Sequence, residues 1–223
     1  MMLPPKKTNW EMFLKEHEWL FNYFNIGPVE LTNKDFKWLK KEVVKAKEEG
    51  LKNNNNLVGH IKEEYKMMGV TKSFQDFLCA VAATHPNFVS FNNKFKVLSE
   101  NKPLYLDTFW VNYMKKYEFN PPHNHDGLYS FVVFVKIPYD LKKEEDYFSE
   151  IAIKESRKEI QTSKLNFLNT DPAGNICTTA VQVDKSFQGK MLMFPSTQMH
   201  MVHPFYTSDD YRITVSGNIK VKV

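Results

Sequence analysis

Apolar residues along the first ninety positions recur at the spacing of helical turns. Trp19, Leu20, Tyr23 and Phe24 form one such stripe, and Phe36, Leu39, Val43 and Val44 form a second. The spacing predicts helices from Trp10 to about Ser90. Thr32 or Asn33 is placed to cap the second helix, Asp35 sits in its first turn, and Gly50 ends it. Asn53 to Asn56 reads as a polar loop, and shorter helices are expected over Val58 to Met68 and Ser73 to Thr84, the latter closed by His85-Pro86.

From Leu104 onward the period changes from helical to extended. Six segments are short, rich in β-branched and aromatic residues and mostly bounded by Gly, Pro or Asn: Thr108 to Tyr117, Tyr129 to Ile137, Leu165 to Leu168, Ala180 to Val183, Lys190 to Phe194 and Tyr211 to Val221. So many short strands predict a sandwich or jelly roll. The class is therefore α+β, with helical residues 1–103 packed on a β core of residues 104–223 as one compact unit. Asp140 to Lys164, dominated by Lys and Glu, reads as a solvated excursion, with a lid as the other reading.

Composition narrows the function. With 223 residues, 42% of them hydrophobic, the chain can bury a real core. A net charge of +4 from 30 basic and 26 acidic residues, with no long block of one sign, argues against nucleic acid as a partner. Cys79 and Cys177 are too few for a disulfide framework and read as buried thiols in a reducing compartment. The N-terminus lacks an apolar signal region, and no stretch is apolar for long enough to span a bilayer, so a soluble cytoplasmic protein is expected.

The chemistry concentrates at Pro121-Pro122-His123-Asn124-His125-Asp126-Gly127, just before the apolar run starting at Tyr129. Side chains two apart on an extended chain share a face, so His123 pairs with His125, and Asp126 replaces His125 if the loop is irregular. His200, after the proline-ended strand Lys190 to Phe194, supplies a third metal ligand. His203 faces the other way, while His17, His60 and His85 read as surface or packing residues. On the last strand Arg212, Thr214, Ser216 and Asn218 share one face. The planar fork of Arg212 suits a carboxylate, and Thr214 adds a hydroxyl. An inward orientation gives these polar groups a ligand; the opposite orientation would leave them in solvent.

Taken in order, H-x-[D/H], G-x-x-L-x-F-P-S before His200, and R-x-[S/T] resemble the iron(II)- and 2-oxoglutarate-dependent oxygenases. Trp110-Val111-Asn112, Glu118-Phe119-Asn120-Pro121-Pro122-His123-Asn124-His125 and Phe194-Pro195-Ser196 are similar, more closely, to a group of such oxygenases common in bacteria and marine phages. The resemblance covers Leu104 to Ile219. It implies a double-stranded β-helix holding Fe(II) between His123, His125 or Asp126, and His200. It also implies 2-oxoglutarate bound by Arg212 and Thr214, with Asn112 and Ser216 beside it, and substrate hydroxylation with O2 while 2-oxoglutarate becomes succinate. The substrate, peptidyl or small, is not specified, and a phage-encoded protein would work in the host cytoplasm. One departure stands out: the superfamily usually has Asp or Glu where this chain has His125. Two other classes fit part of the pattern. A cupin-like three-histidine metal protein explains the histidines but not Arg212 with Thr214, and a non-catalytic binding module explains the missing carboxylate but not the clustered polar groups.

Overall fold

A computed structural model of the chain describes residues 28–53, 59–84, 104–151 and 160–222. The stripe at Trp19 to Phe24, most of the Asn53 to Asn56 loop, His17, and the His85-Pro86 helix stop lie outside the described residues. In chain order the elements are β1 (Val29–Glu30), α1 (Asn33–Glu49), β2 (Glu63–Lys66), α2 (Lys72–Thr84), β3 (Leu104–Met114), β4 (Asn120–His123), β5 (Tyr129–Lys136), α3 (Leu141–Ile151), β6 (Leu165–Thr170), β7 (Ile176–Val181), β8 (Lys190–Pro195), β9 (His200–Val202) and β10 (Arg212–Val221).

The strands form two antiparallel sheets. One has six strands in the order β1-β8-β5-β10-β3-β2, and the other has four in the order β4-β9-β6-β7. This is a jelly-roll arrangement, mostly β, with helices in its N-terminal part. Two strands of the large sheet, β1 and β2, come from before residue 104.

Alternation along the large sheet sorts its residues between two environments. Val111, Val133, Val215 and Met191 face outward and pack against α1 and α2 through Leu39, Val43, Ala46, Phe74 and Leu78. Phe134 and Leu192 face the small sheet, where they join Phe167, Leu165 and Phe205 in a second apolar cluster.

Helix α1 starts and stops as its residues dictate. Thr32 Oγ1 accepts from the Asp35 N–H at 3.1 Å, and Gly50 adopts φ 66° while its N–H returns to Ala46 O. Val44 is 55% exposed rather than part of the buried stripe, because it lies just off the face carrying Leu39, Val43 and Ala46.

Three further expectations are corrected. The Val58 to Met68 segment is a strand at Glu63–Lys66, not a helix, because pairing with β3 and burial of Tyr65 override the helix propensity of Glu and Lys. Cys177 is exposed and Cys79 only partly buried; both are free. The Asp140 to Lys164 excursion is not wholly solvated. It begins with α3, whose Glu144 is fully buried and accepts from the N–H groups of Tyr206 and Thr207 and from the Thr162 hydroxyl. That carboxylate ties α3 to the chain leading into β10.

Candidate functional site

A cavity of about 670 Å³ opens between the two sheets. The small sheet and the loops after β4 and β8 bring the histidines to it. His123 ends β4, and His200, the first residue of β9, is its direct cross-strand partner. His125 follows β4, held by its backbone N–H donating to Ser196 O at 2.8 Å. Gly127 then turns the chain into β5 at φ 125°, where a Cβ would lie 3.0 Å from Ile219 O.

These three histidines each offer a ring nitrogen within 4.8 Å of the others. Asp126 lines the cavity but is exposed and is not part of this group. His203 lies apart, its Nε2 3.1 Å from Asn166 Nδ2, and exposed His60 stacks on Phe119.

Backbone carbonyls fix the ring orientation of two of the histidines. His123 Nδ1 lies 2.7 Å from Pro121 O and His200 Nδ1 2.9 Å from Gln198 O. A carbonyl only accepts, so each Nδ1 carries the proton and each Nε2 presents its lone pair. Burial, then repulsion from His123, pushes His200 down to about 3 and His125 down to about 4. Burial also lowers His123. At neutral pH all three are uncharged imidazoles, a donor set suited to a divalent transition metal.

The opposite wall is the inner face of the large sheet. Arg212, Thr214, Ser216 and Asn218 all line the cavity, as the inward orientation requires. Arg212 is 2% exposed, and its Nε and Nη1 have no hydrogen-bond partner. A buried guanidinium with idle donors fits a carboxylate ligand. Asn112 stands directly across from Thr214 on β3, with its Oδ1 buried and unpartnered. Ser216 stands across from Trp110, whose ring packs 5.6 Å from that of His125. Asn218 is tied up elsewhere, its Oδ1 2.8 Å from Ser130 Oγ.

Residues 108–218, which contain the three clustered histidines, Asn112 and the polar face of β10, match the family model described as "Putative 2OG-Fe(II) oxygenase". The chain belongs to the 2OG-Fe(II) oxygenases. That family uses Fe(II) and 2-oxoglutarate, and both fit here: three neutral imidazoles for the metal, and an unpaired buried arginine for the diacid.

The fold of this oxygenase is similar to that of a prolyl-4-hydroxylase from Pseudomonas putida, with TM-score 0.54 and 12% identity over 94% of this chain and 100% of the other. It is also similar to AviO1 from Streptomyces viridochromogenes, with TM-score 0.52 and 10% identity over 97% and 96%. No curated protein matches the sequence. Among the described residues no helix is long and apolar enough to cross a membrane.

One cavity residue was not expected from the sequence. Glu64, on β2, is 1% exposed, accepts from Asn53 Nδ2 at 2.6 Å through Oε1, and leaves Oε2 unpartnered. Burial pushes its carboxyl up to about 8 from a usual 4.5, with the Asn53 bond opposing. Below about pH 4.5 both folded and unfolded chains hold the proton, and ionisation of Glu64 adds no cost. As pH rises toward about 8 the unfolded chain releases it first, so stability falls; above that range the loss is constant.

The limiting slope is about 1.4 kcal/mol per pH unit. Urea unfolding of the metal-free protein between about pH 5 and 8 should show wild-type stability declining relative to Glu64→Gln. Parallel curves for the two proteins would refute the protonated state.

Proposed function

We propose that this oxygenase is a hydroxylase, holding Fe(II) through His123, His125 and His200 and binding the distal carboxylate of 2-oxoglutarate through Arg212 and Thr214. The observation that carries the reading is Arg212: a buried cation with two idle donors, in the same cavity as three neutral imidazoles. When bound, iron with 2-oxoglutarate and O2 supplies the oxidising chemistry, with cosubstrate decarboxylation to succinate.

The chain's own residues do the rest. Arg212 anchors the diacid at its far end, and the Thr214 hydroxyl adds a second contact on the same face. Asn112 and Ser216 flank that path from β3 and β10. The Pro121 and Gln198 carbonyls fix the imidazole tautomers, and the apolar floor of Met114, Phe134 and Phe194 keeps water out. A carboxylate-free ligand set leaves the metal more positive than the usual triad would, which favours retention of an anionic cosubstrate.

A cupin-like protein without cosubstrate would use the same histidines but leave Arg212 buried without a counter-charge. In this reading residues 104–223 supply the oxygenase core, and the described residues before 104 add β1 and β2 to its large sheet and pack α1 and α2 on it.

The test is spectroscopic. Under anaerobic conditions, Fe(II) and 2-oxoglutarate together should give a weak visible charge-transfer band, and aerobic turnover should release succinate. A protein that binds iron but gives no band and shows no affinity for 2-oxoglutarate would refute the reading.

A further inference from the structure

Beyond Asn112, which borders the proposed cosubstrate path, the cavity carries further unpaired polar atoms. Glu64, Asn112 and Thr214 form one row across β2, β3 and β10. Neighbouring strands lie about 4.8 Å apart, so Glu64 sits about 10 Å to the side of the strand bearing Arg212 and Thr214. The cavity continues over this side, past Asn53 and Gly59 to Asn120 on β4.

Glu64, Asn112 and Asn120 all line it, and Glu64 Oε2, Asn112 Oδ1 and Asn120 Oδ1 are buried without a hydrogen-bond partner. Asn53 holds Glu64 twice, its backbone N–H donating to Glu64 O at 2.9 Å and its side chain to Oε1, which fixes the second carboxyl oxygen in place. Burying a carboxyl with one hydrogen bond destabilises a fold. Glutamine could keep the Asn53 bond without the charge, so structure alone gives no reason for an acid here.

Resting on the oxygenase reading above, we propose that Glu64, with Asn112 and Asn120, is the substrate-recognition subsite and selects a cationic group, an ammonium or guanidinium, on the molecule to be oxidised. Once a bound cation has drawn Glu64 into its ionised form, its Oε2 joins the two amide oxygens as acceptors for a group that offers several N–H donors. An ionised Glu64 supplies the counter-charge, and the raised pKa means that a neutral or anionic substrate would meet an uncharged acid instead. Glu64 thus stands beside the substrate rather than in the redox chemistry. Lys66, two residues along and facing the same cavity, has its side chain in solvent.

The test uses n-butylammonium, n-butanol and butyrate as probes. Each is titrated by calorimetry into the full chain, both metal-free and loaded anaerobically with Fe(II) and 2-oxoglutarate. Butylammonium should bind at least about tenfold more tightly than either other probe, and Glu64→Gln should abolish that preference while 2-oxoglutarate affinity stays within about twofold.

Equal binding of the three probes, or a cation preference that survives in Glu64→Gln, overturns the proposal. The two readings fail separately. A protein that loads with cosubstrate but ignores the cation refutes the subsite alone, whereas a metal-free protein that prefers the cation yet never binds 2-oxoglutarate refutes the oxygenase reading and upholds the subsite.

Discussion

His200→Ala is expected to weaken Fe(II) binding by more than about 100-fold, since loss even of an outer partner of a ligand costs 10- to 100-fold. His200 is 5% exposed, it is the ladder partner of His123, and its Nδ1 is already spent on Gln198 O. In the proposed site its removal would take away a ligand that no neighbour can replace, because exposed Asp126 stands outside the cluster. His125→Ala should cost a comparable amount, and Asp126→Ala should stay within about twofold of wild type. Anaerobic Fe(II) titration of the three variants measures all of this. If Asp126→Ala loses as much as His125→Ala, the second ligand is the carboxylate and the three-imidazole site is wrong.

Arg212→Met should raise the Kd for 2-oxoglutarate by on the order of 100-fold, because truncating one partner of a buried, hydrogen-bonded charge pair costs about 2–5 kcal/mol. Iron affinity should be unaffected, since Arg212 lies on the opposite sheet from the histidine cluster. The decisive companion measurement is unfolding of the ligand-free protein. Arg212 Nε and Nη1 have no hydrogen-bond partner, and the guanidinium's packing 5.8 Å from the Phe134 ring is a contact methionine can also make, so methionine in its place should leave stability unchanged or raise it. A structural arginine would behave in the opposite way, with stability falling and cosubstrate affinity intact. Arg212→Lys should recover part of the binding, limited by the loss of the planar fork.

Much of the site was legible because its residues are unusual for where they lie. Two histidines before an apolar strand, a third after a proline-ended strand, and an arginine heading an alternating polar face are difficult to explain as surface or core. Alternation groups Arg212, Thr214, Ser216 and Asn218 on one face, and all four line the cavity, whereas His125 lies beyond the end of β4, where alternation no longer applies. The register that pairs His123 with His200 was not legible. It depends on long-range strand pairing across 77 positions, which no local pattern encodes.

Glu64 was hidden for a different reason. In Glu63-Glu64-Tyr65-Lys66 the charges suggest a solvated helix, and only the ladder with β3 turns one glutamate toward α1 and the other into the cavity. Glu144 was masked in the same way within a run of Lys and Glu. In both places a charged stretch holds one buried acid, and tertiary contacts rather than composition identify it.

The pairing of His123 with His200 also bears on the dynamics of the small sheet. Strand β9 is three residues long and β4 four, with an irregular register between them, a ladder short enough to fray by itself. An ion shared by both histidines would act as a rivet through that ladder, making iron occupancy and the opening of the small sheet a single equilibrium. Loss of metal would then loosen the edge that borders the substrate cavity, and iron supply would set how long the entrance keeps its shape.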